Sequence, residues 1–223
     1  MVPGHKVEWF KFAEKVQMAI ESSRQTNPDG GTSGLEVEFN ILDGDWQPVA
    51  TVGSGPERRS VADYLRDERL PVWARDSFQL EVFHWMIELT TKPHFNAVAT
   101  AAESRLLEAV LLNTLAELEL THNESFETFN GNIPHPVEVR PDCVPSGWNL
   151  AKRRYLEHCV DLFGDRLATA GIHTNHSFPE ALLSWDYFHL PLADRQRLTM
   201  EDYRNQAVIR ATRALRPLSL IHI

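Results

Sequence analysis

Cysteine is scarce: the 223 residues hold only Cys143 and Cys159. Two such residues build no disulfide framework and no CxxC zinc pattern, so a reduced, cytoplasmic setting is expected. Long apolar runs are missing as well. Nothing approaches the ~18 consecutive apolar residues of a membrane span. Met1 to Glu14 mixes charges with aromatics and lacks the apolar centre of a signal peptide. Positive charge is in deficit, with 22 Lys and Arg against 31 Asp and Glu, a net charge of −9. With no extended basic patch, nucleic acid and anionic membranes are poor partners. No G-x-x-x-x-G-K-[ST] or G-x-G-x-x-G loop occurs, which removes support for a P-loop or Rossmann nucleotide site. A G-x-S-x-G elbow is absent too, as are repeats and low-complexity segments.

What is present begins with the stretch Gly34 to Leu42. Leu35, Val37, Phe39 and Ile41 alternate with Glu36, Glu38 and Asn40, the period of a half-buried strand. Such a strand places Glu36 and Glu38 on one face, roughly 7 Å apart. Carboxylates that close are unfavourable unless a cation lies between them, and hard divalent cations prefer oxygen. A solvated acidic face is the plainer alternative. Trp46 to Val52 is expected to return as the second strand of a hairpin after the turn signal Asp43-Gly44. Ser60, with Asp63 three residues on, predicts a capped helix to about Glu68.

A second strand is expected from Phe83 to Thr91, closed by Pro93. It sets Glu88 opposite Trp85 and Ile87, with Glu81 in a preceding turn. Amphipathic patterns predict helices at Val7–Arg24, Phe95–Leu120 and Trp148–Ala170, the last with Gly171 as its stop. Leu150, Tyr155, Leu156, Val160 and Phe163 are expected on its inward side. A short strand presenting His173 and Asn175 should follow. Pro179 opens a helix reaching about Leu190, and a final helix is expected over Thr199–Leu215. Arg204, Arg210, Arg213 and Arg216 make that helix the one locally basic region. It is either a solvated face or a phosphate contact. Cys159 reads as an inert core thiol.

If the three polar strands are neighbours, four carboxylates and a histidine share one face. Buried together without cations they would repel and lose hydration at several kcal/mol each. Clustered carboxylates with Mg²⁺ and no P-loop point to phosphoryl transfer from ATP on a sheet surface.

Three motifs carry a resemblance to a known family, in the same order as in that family. Gly34-Leu35-Glu36-Val37-Glu38 resembles the opening G-[IVL]-E-x-E strand of the glutamate–cysteine ligases and their bacterial relatives, the carboxylate–amine ligases. Glu81, six further residues, then Glu88-Leu89-Thr90-Thr91-Lys92-Pro93 is similar to the family's acidic-x6-E-[FV]-x-T-x-P segment. Gly171-Ile172-His173-Thr174-Asn175-His176-Ser177 resembles its G-[IVL]-H-x-N-x-S strand.

The resemblance implies an α+β fold, an antiparallel sheet with long helices on one face, related to glutamine synthetase and incomplete at the C-terminus. It implies a ligase that uses ATP and Mg²⁺ to join a glutamate-like carboxylate to an amine through an acyl phosphate, chemistry of the kind used in glutathione biosynthesis. By motif position Glu36, Glu38, Glu81 and Glu88 would hold Mg²⁺. His173 would meet the transferring phosphoryl group, with Asn175 beside it. Thr90, Ser177, Arg204 and Arg210 would contact ATP or substrate. A non-catalytic nucleotide- or metal-binding module, or an inactive fragment of such a ligase, is the alternative.

The expected organisation is an N-terminal helix and linker over 1–33, the N-terminal part of a ligase domain over 34–217, and a non-native tail over 218–223. The last six residues, Leu218 to Ile223, match what a widely used sequencing adapter encodes in one reading frame. The chain is therefore expected to continue natively beyond about Pro217.

Overall fold

The computed structural model describes residues 3–22, 30–55, 58–66, 70 and 72–219. They form two compact units. One comprises 1–26 with 33–175, the other 27–32 with 176–223.

The first unit is built on β1 (Ser33–Leu42), whose two edges are both paired. On one side lies β3 (Met86–Thr90), antiparallel, with Glu38 opposite Glu88 and Glu36 opposite Thr90. Beyond β3 lies β2 (Phe78–Leu80), with Gln79 opposite Glu88. β4 (Glu127–Phe129) takes the Asn40–Leu42 end of β1, and β5 (Ile172–His176) pairs with β1 as well. The alternation expected for β1 holds. Val37, Phe39 and Ile41 enter the main core with Ile87 and Leu89 of β3. Fully burying each such side chain contributes about 1.5–3 kcal/mol.

Helices cover that apolar face. α1 (Pro3–Ser22) and α4 (Ala97–His122) contact each other, and α4 lies on β1 and β3. α4 starts at Asn96, whose side-chain oxygen accepts the N–H of Ala99 at 2.7 Å. α2 (Val61–Leu65) carries the expected capping box between Ser60 and Asp63. Its expected extension to Glu68 runs into residues outside those described. A one-turn helix, α3 (Val72–Arg75), leads into β2.

α5 (Leu150–Phe163) departs from the reading of one helix to Ala170. It stops at Gly164, whose φ of 59° only glycine adopts readily, and a 3₁₀ turn spans Gly164–Leu167. Gly171 is therefore not its stop. Leu156 and Val160 join Phe83, Trp85 and Met86 in a second core. Met86 and Ile87 are adjacent in β3 and so point to opposite faces. α5 thus builds on the sheet's polar side rather than with α4. Leu150, Tyr155 and Phe163, expected inward, are exposed instead.

The strand expected from Phe83 is shorter, because residues 82–85 turn to bring Glu81 and β2 back beside β3. The hairpin over Trp46–Val52 does not form. Trp46 takes φ 62°, Pro48 has no N–H for a ladder, and the stretch makes only isolated bridges, Leu42 to Pro48 and Val52 to Arg59. The Asp43 carboxylate closes the turn, accepting the N–H groups of Asp45 and Gln47 at 2.9 and 2.8 Å.

In the second unit, α6 (Glu180–His189) contacts α8 (Met200–Ser219), with α7 (Leu192–Arg195) between them in sequence. Tyr203 on α8 donates its hydroxyl to Asp186, and Tyr187 donates to the Leu198 carbonyl at 2.8 Å. α8 continues through Pro217 to Ser219, past the end expected at Leu215. Leu220–Ile223 of the expected tail lie outside the described residues. No helix among the described residues is long and apolar enough to cross a membrane.

Candidate functional site

The β1–β3 register carries two of the expected carboxylates to one place. Glu38 and Glu88 are direct cross-strand partners, so their side chains emerge side by side on the polar face. Glu81 arrives from just beyond the end of β2. Ligand oxygens of Glu38, Glu81 and Glu88 all lie within 4.8 Å of one another. Glu38 is buried and the other two are half-buried. Like charges opposed in this way on adjacent strands destabilise a sheet unless they are compensated.

Glu81 and Glu88 register that compression. Burial, with the carboxylates of Glu38 and Glu88 adding to it, pushes Glu81 up to about 7. The Val82 N–H, 3.0 Å from its Oε2, and the Lys152 charge pull the other way. Burial also raises Glu88, helped by Glu36 and Glu38, against the Thr90 hydroxyl that donates to its Oε1 at 2.9 Å and against His173.

Glu36 stands beside the trio rather than within it. Its Oε1 accepts the Asn175 amide N–H at 2.7 Å, and its Oε2 is 3.6 Å from His173 Nδ1. The same nitrogen is 3.7 Å from Glu38 Oε1. His173 therefore bridges toward both β1 carboxylates while its ring stays more than half exposed. His173 and Asn175 alternate on β5 and reach one face together, as expected of that strand.

Gly171, the first residue of the third motif, supports the site together with Asn130 and Trp148, which carry no motif signal. The Gly171 N–H donates to Glu38 Oε2 at 2.9 Å, and the Glu38 N–H donates to the Gly171 carbonyl at 2.9 Å. A Cβ on Gly171 would lie 3.3 Å from His173 Nε2, so glycine leaves the imidazole its room. The Asn130 amide donates to the Glu38 carbonyl at 2.6 Å and to the Gly171 carbonyl at 3.0 Å, clamping β5 onto β1. The Trp148 indole N–H donates to the Glu81 carbonyl at 3.1 Å and fixes the loop that carries this carboxylate. These contacts depend on backbone groups brought together from distant parts of the chain, which local periodicity does not encode.

The remaining expected contacts are placed as follows. Thr90 spends its hydroxyl on Glu88. Ser177, Arg204 and Arg210 belong to the second unit and have partners inside it. Ser177 Oγ accepts the Thr32 N–H at 2.8 Å, Arg204 pairs with Glu180, and Arg210 donates to Gln206 at 3.1 Å.

An all-carboxylate trio fits a hard divalent cation such as Mg²⁺, which favours oxygen ligands, keeps some of its water and bridges phosphates. The mutual repulsion written into Glu81 and Glu88 is what such an ion would relieve.

No family model matches this sequence, and comparison with curated proteins finds no match. Among solved structures, the chain is similar to a bifunctional glutathione synthetase from Pasteurella multocida, with a TM-score of 0.57 and 18% identity, over 84% of this chain and 22% of that one. It is also similar to the glutamate–cysteine ligase of Francisella tularensis, solved in complex with AMP, with a TM-score of 0.52 and 16% identity, over 77% of this chain and 30% of that one. At these identities the likeness is one of fold, and this chain spans less than a third of either protein.

Proposed function

We propose that this chain carries the metal-binding half-site of an ATP- and Mg²⁺-dependent ligase that joins a glutamate-like carboxylate to an amine through an acyl phosphate. The observation that carries this reading is the meeting of Glu38, Glu81 and Glu88, from three chain segments, within 4.8 Å and beside His173. The fold shared with two ligases supports it.

Glu38, Glu81 and Glu88, with Glu36 alongside, would hold Mg²⁺, which supplies charge neutralisation for a transferring phosphoryl group. His173, held between Glu36 and Glu38, would meet phosphoryl oxygens with its exposed ring edge. Asn175 holds Glu36 in place, so β5 orients two groups at once. Arg204 and Arg210 would contact ATP or substrate only after exchanging their present partners.

The test supplies the protein with ATP, Mg²⁺, glutamate and a panel of amines. Amine-dependent ADP release with a γ-linked amide in the products is expected. ATP turnover that ignores every amine would count against a ligase.

A second reading is a non-catalytic metal- and nucleotide-binding module. Under that reading Mg²⁺ binds and depends on Glu88, but no amide forms.

A further inference from the structure

The acidic trio is faced from two elements by side chains that can carry positive charge. His173 does so from β5. The other is Lys152, in the first turn of α5, which belongs to none of the three motifs. Its charge favours the ionised form of the Glu81 carboxyl.

This placement follows from how α5 begins. The Asn149 side chain accepts the Lys152 N–H at 3.0 Å and caps the helix. Trp148, just before the cap, is half-buried and packs against both hydrophobic cores. Its indole N–H is the donor to the Glu81 carbonyl at 3.1 Å, and the Lys152 ammonium stands over the same ring, 4.8 Å from its centroid. With both contacts on one indole, the ammonium lies inside the ~10 Å Debye length of the Glu81 segment.

The helix offers Lys152 no anion of its own. Three and four residues on stand Tyr155 and Leu156, whereas the adjacent Arg153 meets Glu157 at 2.8 Å. Among the described residues Lys152 makes no ion pair. It is exposed, on a flexible four-carbon stem. A fixed ring thus keeps an unspent ammonium beside an acidic cluster.

Such a cation acts in opposite senses on two ligands. Bare Mg²⁺ on the trio meets it as a like charge. A phosphate carried by that Mg²⁺ adds anionic oxygens, for which an ammonium is a strong partner. We propose that Lys152 makes the acidic site select phosphate-bound magnesium over the bare ion. The inference rests on the trio being a metal site and names what arrives with the metal.

Calorimetric titration of the full chain with Mg²⁺, then with tripolyphosphate at saturating Mg²⁺, reads the two ligands separately. Lys152→Gln should tighten Mg²⁺ binding about threefold, the size of one screened charge contact, and weaken tripolyphosphate about tenfold, the size of one charged hydrogen bond. Lys152→Arg keeps the charge and should keep both wild-type affinities. In EDTA, a double-mutant cycle with Glu81→Gln needs no ligand: the effect of Lys152→Gln on the melting temperature should vanish once residue 81 is neutral. Parallel loss of both affinities would make Lys152 a support of α5 and nothing more. Unmoved affinities, Lys152→Arg behaving as Lys152→Gln, or additive melting temperatures would equally overturn the proposal. Failure of the metal reading looks different: wild type and Lys152→Gln alike would take up no Mg²⁺, which sinks the selection with it.

Discussion

Near neutral pH the Glu81 carboxyl of the metal-free protein is about half protonated, because its value sits at about 7 rather than the ordinary 4.5. The folded chain therefore holds more protons than the unfolded chain between those two values, and its stability falls as pH rises through that window. At 1.36 kcal/mol per pH unit the loss is on the order of 3 kcal/mol. Thermal melts in EDTA should show the melting temperature dropping from pH 5 to pH 7.5, and Mg²⁺ should flatten the profile. A profile equally steep with and without Mg²⁺ would place the ion elsewhere. The same logic gives Glu81→Gln a signature that a purely structural residue lacks: higher stability without metal at pH 7.5, together with at least tenfold weaker Mg²⁺ binding. His173 is tested through turnover. Removing one preorganised donor from developing charge costs about 10²–10³ in kcat, so His173→Ala should slow amine-dependent ADP release by that order. Unchanged turnover would remove the imidazole from the chemistry.

Elements position these groups with uneven stiffness. β1 and β3 hold Glu38 and Glu88 by ladder hydrogen bonds, and the start of β5 is also tied to β1 by Asn130, whose amide serves the carbonyls of Glu38 and of Gly171, the residue before β5. Asn130→Ala should speed amide exchange at Gly171–Asn175 more than in β3, and should weaken metal binding by loosening the Gly171 contact to Glu38. Equal protection in β5 would show that the clamp is dispensable. At this scale the sequence was legible where a periodic pattern coincided with burial. β1, α2, α4 and β5 formed at or near the expected positions, and Glu81 lay just before the bend at 82–83. β2 was missed because three residues are too few to display a period. The Trp46–Val52 return shrank to a single bridge to β1, Leu42 to Pro48, because Pro48 has no N–H with which to extend a ladder. α5 was read too long because Gly164, not Gly171, adopts the positive φ that stops it.

Across the first unit, one buried contact joins parts that are far apart in sequence. Glu103 on α4 accepts the Gln17 amide of α1 at 2.9 Å and the Lys92 N–H at 2.8 Å, and lies 2.6 Å from His94 Nε2. His94 and Glu103 are essentially inaccessible to solvent. Removing the carboxylate leaves the Gln17 amide and the Lys92 N–H without their buried acceptor, at on the order of 1–3 kcal/mol each. Glu103→Ala should therefore lower the melting temperature by roughly 10 °C, at about 2–4 °C per kcal/mol for a chain of this size. A change of a degree or two would show that α1 and α4 hold without it. This network was invisible in the sequence, where α4 read only as an amphipathic helix. Glu103 is one of four glutamates in α4, and its place among leucines and alanines gives no hint of the histidine opposite it. The carboxylate face itself was anticipated in outline, since Glu38, Glu81 and Glu88 did converge, while Glu36 turned to β5 instead.

Glu38 faces Glu88 because β1 and β3 are aligned at one setting of their ladder. Sliding β1 by a single residue would turn Glu36, Glu38 and Asn40 into the hydrocarbon and expose Val37, Phe39 and Ile41 to water. A misaligned chain would thus lose its core and its ion site together. Any ion drawn to the acidic trio rewards correct pairing alone, acting as a proofreader of the fold.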